Sequence, residues 1–330
     1  MMRKILGIGN ALVDVMTILN DDTILKKFGL PKGSMQLVDN VKSGIIKSDT
    51  QNLKRTLASG GSVANSIHGL AMLGVESGFI GSIGKDETGD FFESDMKKAG
   101  VNTMLIRRES YTGTAVALIS PDSERTFATH LGAAVELEAK DLHSGQFKGY
   151  DIFYVEGYLI INKPLVETAC ALAKENNVKV AIDLASYNVV DSNLENFREI
   201  INKYADIVFA NADEARSFTG LEPEGALDEI SKQVEIAVVK SGPEGSWIKR
   251  GDEKIKIDAA SVNLIDTTGA GDLYASGFLY GLATGQDLVK CGLYGSILAG
   301  HVIEIVGARM GEEKWIKARK DILEIVNSEH

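Results

Sequence analysis

The chain has 330 residues, of which 44% are hydrophobic and 25% charged, a composition typical of a globular protein with one large α/β domain and an appendage, or with two domains. Its 35 basic and 46 acidic residues give a formal net charge of −11, which speaks against nonspecific binding to nucleic acid or to anionic membranes. The sequence has no signal-like or membrane-length apolar segment, and its two cysteines lie in helix-like apolar surroundings, so we expect a cytoplasmic protein.

An apolar strand at residues 4–9 opens the chain and is followed by Asp14. The segment from Gly7 to Leu12 superficially matches a dinucleotide-binding turn, but the third glycine and the following helix are missing, which excludes that interpretation. An aspartate at the carboxyl end of a strand in an open parallel sheet lies where ligands bind. Asp14 is therefore a candidate ligand residue, and the alternative is a turn or capping residue.

A glycine pair, Gly60 and Gly61, precedes Ser62 and Asn65 at the start of an apolar helix. Adjacent glycines allow the backbone to approach a ligand closely, and Asn65 offers one donor and one acceptor group. The alternative is an ordinary helix start with Ser62 as the N-cap. The other elements predicted before this helix are helices at 23–28 and 49–57 and a strand at 35–38.

Three successive strands without intervening helices are predicted between residues 101 and 130. Such a run suggests a small antiparallel layer apart from the α/β core. Arg125 lies in the last of these strands, where it is either a ligand contact or a solvated hairpin charge. The predicted strands are 104–107, 114–120 and 125–129.

From residue 150 onward strands and helices alternate strictly, which predicts βαβ units and a mainly parallel sheet. Asn211 and Glu214 follow one of these strands. Carboxylate and amide oxygens suit a hard cation such as Mg²⁺, but the same spacing also predicts a capping box. Ser241, Gly242 and Gly245 form a turn after the next strand.

The stretch Asp266-Thr267-Thr268-Gly269-Ala270-Gly271-Asp272 precedes an apolar helical repeat. Small residues at a helix N-terminus let backbone N–H groups face an anion, and a carboxylate in the first turn is stabilised by the helix dipole. That combination suits phosphoryl transfer, in which the amides stabilise phosphate charge and the carboxylate accepts a hydroxyl proton. The alternative is a glycine turn followed by an ordinary helix N-terminal acid.

This stretch resembles the C-terminal signature of the ribokinase/PfkB family of carbohydrate and nucleoside kinases. Residues 60–65 are similar to the family's N-terminal substrate motif, and residues 211–214 fit its Asn-x-x-Glu motif. The resemblance implies a ribokinase-like three-layer α/β/α domain with a mainly parallel sheet and a small β-rich lid. The core would comprise residues 1–13, 39–100 and 131–330, and the lid residues 14–38 and 101–130.

The resemblance also implies roles in phosphoryl transfer. Asp272 would be the catalytic base, the amides of Gly269, Ala270 and Gly271 the anion hole, and Arg125 a contact of the transferring phosphate. ATP and Mg²⁺ would be the cofactors. Residues of the nucleotide and metal side would be Asn211, Glu214 (Mg²⁺ through water), Ser241, Gly242, Gly245 and Thr268, with Asp266 and Thr268 as candidates for a monovalent-cation site that binds potassium.

Substrate hydroxyls would be held by Asp14 and Asn65 together with Gly60, Gly61 and Ser62. The segment between Asp14 and Gly60 has the length found in adenosine kinases and exceeds that of ribokinase and fructokinase types. The side chains that would then wall a base are Met35, Leu37, Phe127 and Tyr158, for which the alternative is packing within the lid.

The expected function is therefore ATP-dependent phosphorylation of the 5′-hydroxyl of a nucleoside, with adenosine as the substrate. The alternatives are a sugar kinase of the same family, acting on ribose or fructose, and a non-catalytic nucleoside-binding regulatory protein. The presence of Asp272 argues against the non-catalytic alternative, because a binding protein needs no base. We expect a small molecule as the only partner of a monomer or homodimer.

Overall fold

The computed structural model describes residues 2–122 and 124–327. Two sheets organise the fold: one has nine strands and the other five. The strands, numbered in chain order, are β1 (Ile5–Ile8), β2 (Leu12–Ile18), β3 (Met35–Leu37), β4 (Arg55–Gly60), β5 (Ser77–Gly84), β6 (Asn102–Arg108), β7 (Gly113–Ile119), β8 (Arg125–His130), β9 (Ile152–Val155), β10 (Lys179–Asp183), β11 (Ile207–Asn211), β12 (Ile236–Lys240), β13 (Ser246–Arg250) and β14 (Glu253–Ile257). The helices are α1 (Thr23–Lys27), α2 (Asn40–Asp49), α3 (Ser62–Met72), α4 (Glu87–Lys98), α5 (Lys163–Glu175), α6 (Tyr187–Ser192), α7 (Leu194–Tyr204), α8 (Ala212–Thr219), α9 (Pro223–Ile230), α10 (Ala270–Ala283), α11 (Leu288–Ile303) and α12 (Glu312–Asn327).

The nine-stranded sheet has the order β14-β13-β12-β11-β10-β9-β1-β5-β6 and is parallel except for the β12–β13 and β13–β14 pairs. Successive residues of its strands point to opposite faces, so Ile5 and Leu6 enter different hydrophobic clusters. One face is covered by α3, α4, α10 and α11, and the other by α5, α6, α7, α8 and α9. This is the three-layer α/β/α arrangement that the resemblance implies.

The five-stranded sheet, which we call the lid, has the order β3-β8-β7-β2-β4. Val13, Val15 and Val116 on its rear face are buried in a cluster with Leu25 of α1 and Ile46 of α2. Residues paired across strands share a face, so the opposite face carries Asp14 of β2 and the side chains two residues on from it.

Two strands belong to a different sheet from the one predicted. β6 was assigned to the lid and lies in the large sheet, whereas β4 was assigned to the core and lies in the lid. β6 pairs in parallel with β5 at the edge of the large sheet, because α4 returns the chain beside β5 in a βαβ crossover. β4 pairs antiparallel with β2 in the lid, so the predicted helix at residues 49–57 is wrong. The helix in this region is α2, whose N-cap Asp39 accepts a hydrogen bond from the Lys42 N–H at 2.7 Å.

Among the helices in residues 2–122 and 124–327, none combines the length and hydropathy needed to cross a bilayer.

Candidate active site

Polar side chains collect at the carboxyl edge of the large sheet, where open α/β sheets bind ligands. Each comes from a different strand or from the residues directly after it. They are Asn10 after β1, Glu156 after β9, Asp183 of β10, Asn211 of β11 and Lys240 of β12.

Asp272 lies in the first turn of α10, directly beyond the left-handed N-cap Gly269 (φ 78°). Its carboxylate accepts hydrogen bonds from Ser62 Oγ (2.7 Å) and Asn65 Nδ2 (2.8 Å) of α3. The two helices can approach this closely because Gly69 faces Ser276: a Cβ at residue 69 would lie 2.5 Å from Ser276 Oγ. The structure therefore brings the predicted base and the predicted substrate motif into direct contact.

Burial raises the pKa of Asp272 from 3.8 to about 6. The hydrogen bonds from Asn65 and Ser62 lower it, Asp183 raises it further, and Lys240 lowers it. The carboxylate is thus ionised near neutral pH, yet its pKa lies close enough to neutrality for it to take up a proton.

The residues predicted to form an anion hole lie at the N-terminus of α10, and one of their amides differs from the prediction. The Ala270 N–H donates to the Thr267 carbonyl at 3.1 Å, so this amide is already engaged. Lys240 lies close to the same helix end, since a Cβ at Gly271 would be 3.2 Å from its Nζ. The positive potential there thus comes from a lysine as well as from the helix.

Lys240 forms an ion pair with Asp183 at 3.1 Å, and both side chains are largely buried. Burial lowers the pKa of Lys240, but Asp183 and Glu214 outweigh that effect and raise it above its ordinary value. The sequence reasoning missed both members of this pair. Their signal was available, because each is a charged residue that ends an apolar strand of the parallel sheet.

A cavity of about 500 Å³ adjoins this group of charges. Its lining includes the polar side chains of Asp183, Asn211, Glu214, Lys240 and Asp272 together with apolar ones, among them Val262 and Ile303. A cavity that combines apolar walls with a few polar groups suits a small ligand such as a nucleotide. Of the predicted nucleotide residues, those lining this cavity are Asn211, Glu214, Gly242 and Gly245.

Ser241 and Thr268 do not line this cavity. The Ser241 N–H donates to the Gly245 carbonyl at 2.7 Å, and its buried Oγ has no partner within the described residues. Thr268 lines a different cavity with Asp266 and Arg125.

Asn211 and Glu214 form a reciprocal capping box at the start of α8. The Asn211 N–H and Nδ2 donate to Glu214 Oε2 (2.7 Å) and Oε1 (2.6 Å), and Glu214 is raised in pKa by burial and by Asp183. Within the described residues no group of three His, Cys, Asp or Glu side chains could hold a metal ion by itself. Asn211 and Glu214 instead fit a Mg²⁺ ion that arrives bound to the phosphates of a nucleotide. Such an ion uses few protein ligands and keeps several waters.

A buried carboxylate that the sequence reasoning did not single out fixes the start of α3. Glu156 accepts hydrogen bonds from Asn10 Nδ2 (2.5 Å) and from the Val63 N–H (3.2 Å). Gly61 lies beside them with φ 103°, and a Cβ there would be 2.0 Å from the Asn10 carbonyl oxygen. Only glycine fits this position, which explains one member of the glycine pair.

The predicted substrate residues of the lid share one face of its sheet. Asp14 pairs with Ala115, Ala115 with Thr129, and Thr129 with Leu37, so these four form one row across the strands. The next row contains Phe127 and Met35, and Arg125 follows two residues from Phe127. Met35 and Leu37 are 55% and 66% exposed, so they are not packed in the lid interior.

Asp14 lies close to Gly60, where a Cβ would be 2.5 Å from its Oδ1. Burial raises the pKa of Asp14 to about 7, Arg309 lowers it and Asp272 raises it. The sequence reasoning missed Arg309, which donates to the carbonyl of Ser59 at 2.8 Å and has its own pKa lowered by burial to about 10. Arg309 lies far from the recognised motifs in sequence.

Two further predicted residues have surroundings that the sequence did not indicate. Arg125 pairs with Asp266, whose carboxylate had been a candidate cation ligand. Tyr158 lies after β9, where burial raises its pKa to about 12 and a hydrogen bond with Ser186 lowers it. Tyr158 thus belongs to a segment that follows a strand of the nine-stranded sheet, and not to the lid.

The chain is similar in sequence and in fold to known kinases. The profile of the pfkB family carbohydrate kinases matches residues 33–315. The 5-dehydro-2-deoxygluconokinase of Bacillus velezensis is 30% identical over 290 residues, which cover 82% of this chain and 86% of that protein.

Two solved structures are similar over nearly the whole chain. A probable sugar kinase protein from Rhizobium etli CFN 42 has a TM-score of 0.86 and 32% identity, covering 97% of this chain and 99% of the other. The adenosine kinase from Sinorhizobium meliloti also has a TM-score of 0.86 and 32% identity, covering 97% and 100%.

Proposed function

Because this chain belongs to the pfkB family of carbohydrate kinases, we propose that it transfers the γ-phosphoryl group of ATP to the 5′-hydroxyl of a nucleoside, with adenosine as the substrate. The observation that carries the proposal is the position of Asp272. It lies at the N-terminus of α10, beside the 500 Å³ cavity, and within hydrogen-bond distance of the α3 residues Ser62 and Asn65.

In the proposed reaction Asp272 accepts the proton of the attacking hydroxyl. Each of its oxygens keeps a free lone pair beyond the hydrogen bonds from Ser62 and Asn65. As the proton moves to Asp272, the hydroxyl oxygen forms a bond with the γ-phosphorus and the bond to the β-phosphate oxygen breaks, which releases ADP.

Negative charge on the transferring group would be stabilised by the N-terminus of α10 and by Lys240. Gly271 leaves the backbone open at this point, and Lys240 Nζ lies next to it. Asn211 and Glu214 would hold Mg²⁺ through water. When bound, Mg²⁺ would supply positive charge to the phosphate oxygens.

The lid supports a nucleoside as the substrate. Strands lie about 4.8 Å apart, so the row from Asp14 to Leu37 extends about 14 Å across the lid. At its far end a cavity of about 460 Å³ is lined by Leu37 and Thr129 together with Tyr111, Leu131 and Val135. A ribose held at Asp14 would direct its base along this row, whereas a free sugar would leave exposed apolar side chains in water.

A second candidate is a sugar or sugar-acid kinase, and it has support of similar weight from the 30% identical 5-dehydro-2-deoxygluconokinase. The structural observation that favours it is Arg309. This guanidinium lies near enough to Asp14 to lower its pKa, and it would attract an acidic group on a substrate.

The test is a side-by-side measurement of kcat/KM for adenosine, ribose, fructose and 5-dehydro-2-deoxygluconate, in the wild type and in two lid variants. Leu37→Ser removes apolar surface from the site-facing side. Leu57→Ser is the matched control, because Leu57 is also exposed but points to the other side of the lid. We expect adenosine to be preferred, and Leu37→Ser to raise its KM by about tenfold, the cost of about 1.5 kcal/mol of lost apolar contact. A preference for a sugar or for the sugar acid would replace the nucleoside assignment.

A further inference from the structure

The lid and the loop before α10 are joined by a buried ion pair. Arg125 of β8 contacts Asp266 through Nη1 and Oδ1. Their side chains are only 11% and 1% exposed, so water and salt screen this pair weakly. Arg125 belongs to the lid sheet and Asp266 to the loop before α10, and the two residues are far apart in sequence.

Asp266 also fixes the backbone around the anion hole. Its Oδ1 accepts a hydrogen bond from the Thr268 N–H at 2.8 Å, and its Oδ2 accepts one from the Gly307 N–H at 2.6 Å. Gly269 packs so closely on this segment that a Cβ there would lie 2.6 Å from Ala308 Cβ. The Asp266 carboxylate therefore determines where the loop delivers the N-terminus of α10.

We propose that Arg125 takes the place of the monovalent cation that the family resemblance predicts beside Asp266. Both carboxylate oxygens already have donors, and the guanidinium already balances the negative charge. A soluble cation added here would lie beside Arg125 in a site with little water, where like charges repel strongly. The groups around the Asp266 carboxylate thus do not fit potassium, and the Arg125 guanidinium supplies the positive charge instead.

The proposal has a consequence for the lid. Arg125 is on the site-facing side, so its charge reaches Asp266 only when β8 is in the position seen in this structure. Arg125 is then a positioning residue: it holds the anion-hole loop through Asp266 and does not contact the transferring phosphate. This inference rests on the family's phosphotransfer reaction but not on which hydroxyl compound is the substrate.

The experiment compares the wild type with Arg125→Met, Arg125→Lys and Lys32→Met in potassium, sodium and tetramethylammonium salts at equal ionic strength. Lys32→Met is the matched control, because it removes a lid cation that pairs with Asp22 and Asp122 and not with Asp266. We expect equal rates in all three salts for the wild type and for Lys32→Met. Arg125→Met should lose about tenfold or more in tetramethylammonium and recover most of that loss in potassium, because the vacated position admits a cation. Arg125→Lys should retain most of the wild-type rate in every salt.

A second readout needs no substrate and therefore remains interpretable if the nucleoside assignment fails. The Tm of Arg125→Met without ligands should be higher in potassium than in tetramethylammonium, while the wild-type Tm should be the same in both. Severalfold stimulation of the wild type by potassium would overturn the proposal. An Arg125→Met enzyme that has a raised KM for ATP and an equal deficit in every salt would also overturn it, since Arg125 would then contact the phosphate.

Discussion

Replacing Asp272 with asparagine separates catalysis from folding. Asparagine has nearly the same shape, and the surrounding groups can adapt to it. The Ser62 hydroxyl can accept a hydrogen bond from the new amide N–H₂, and Asn65 Nδ2 can still donate to the amide oxygen. We therefore expect Asp272→Asn to fold normally and to lose the base.

The size of the effect can be given both for kcat and for the free energy of unfolding. Loss of a general base lowers kcat by about 10²–10⁴, which is about 3–5 kcal/mol in the barrier. Because the pKa of Asp272 rises from 3.8 to about 6 in the fold, this group favours the folded state below pH 4, and that contribution is lost as the pH rises through 6. Above pH 6 the wild type therefore carries a cost of at most about 3 kcal/mol that asparagine avoids, so the variant should be more stable by about 1–2 kcal/mol.

The assay measures kcat and Tm together from pH 5 to 8.5, with Asp252→Asn as a control for loss of a remote, exposed carboxylate. The wild-type kcat should fall about tenfold per pH unit below about 6, and the residual rate of Asp272→Asn should be flat. A variant that keeps near-normal kcat would refute the role of Asp272 as the base. A variant that loses activity and stability in parallel would refute the argument from burial.

Three further variants test other parts of the site. Lys240→Met should raise KM for ATP and lower kcat in steady-state kinetics. It should also reduce the free energy of unfolding by about 3 kcal/mol, measured by denaturant unfolding, because Asp183 is left buried without its partner. Unchanged stability would contradict the ion-pair argument. Gly61→Ala should be destabilised by about 2 kcal/mol or more and nearly inactive, because its Cβ would lie 2.0 Å from the Asn10 carbonyl oxygen; a normal Tm would show that the turn can rearrange. Tyr158→Ala should raise KM for adenosine without changing KM for ATP, and an equal change in both would place Tyr158 outside the base pocket.

The fold was predictable from local patterns wherever strand and helix alternate. From β9 to β12 the strands are separated by helices, as the pattern after residue 150 predicts. The lid was harder, because its five strands are contributed by three separated segments. β4 is an edge strand with several exposed residues, so its sequence lacks an apolar face. Its pairing with β2 therefore cannot be predicted from residues 55–60 alone.

The motif residues of the site were predictable, but their electrostatic partners were not. The seven-residue stretch ending in Asp272 by itself predicts a phosphate-binding loop with a carboxylate base. Glu156 and Arg309 act through contacts with chain segments more than 90 residues away, and neither lies in a recognisable motif. Arg125 was identified as a cation near the site, yet only the structure shows that it pairs with Asp266.

The central claim is that this protein transfers the γ-phosphoryl group of ATP to the 5′-hydroxyl of adenosine, with Asp272 as the base. The most direct measurement is ³¹P NMR of the wild-type enzyme with ATP and adenosine, repeated with 5′-deoxyadenosine, which lacks only the accepting hydroxyl. The account predicts AMP and ADP in equal amounts with adenosine and no ADP beyond background with the deoxy compound. ADP formation without AMP, or equal ADP release from both compounds, would contradict it.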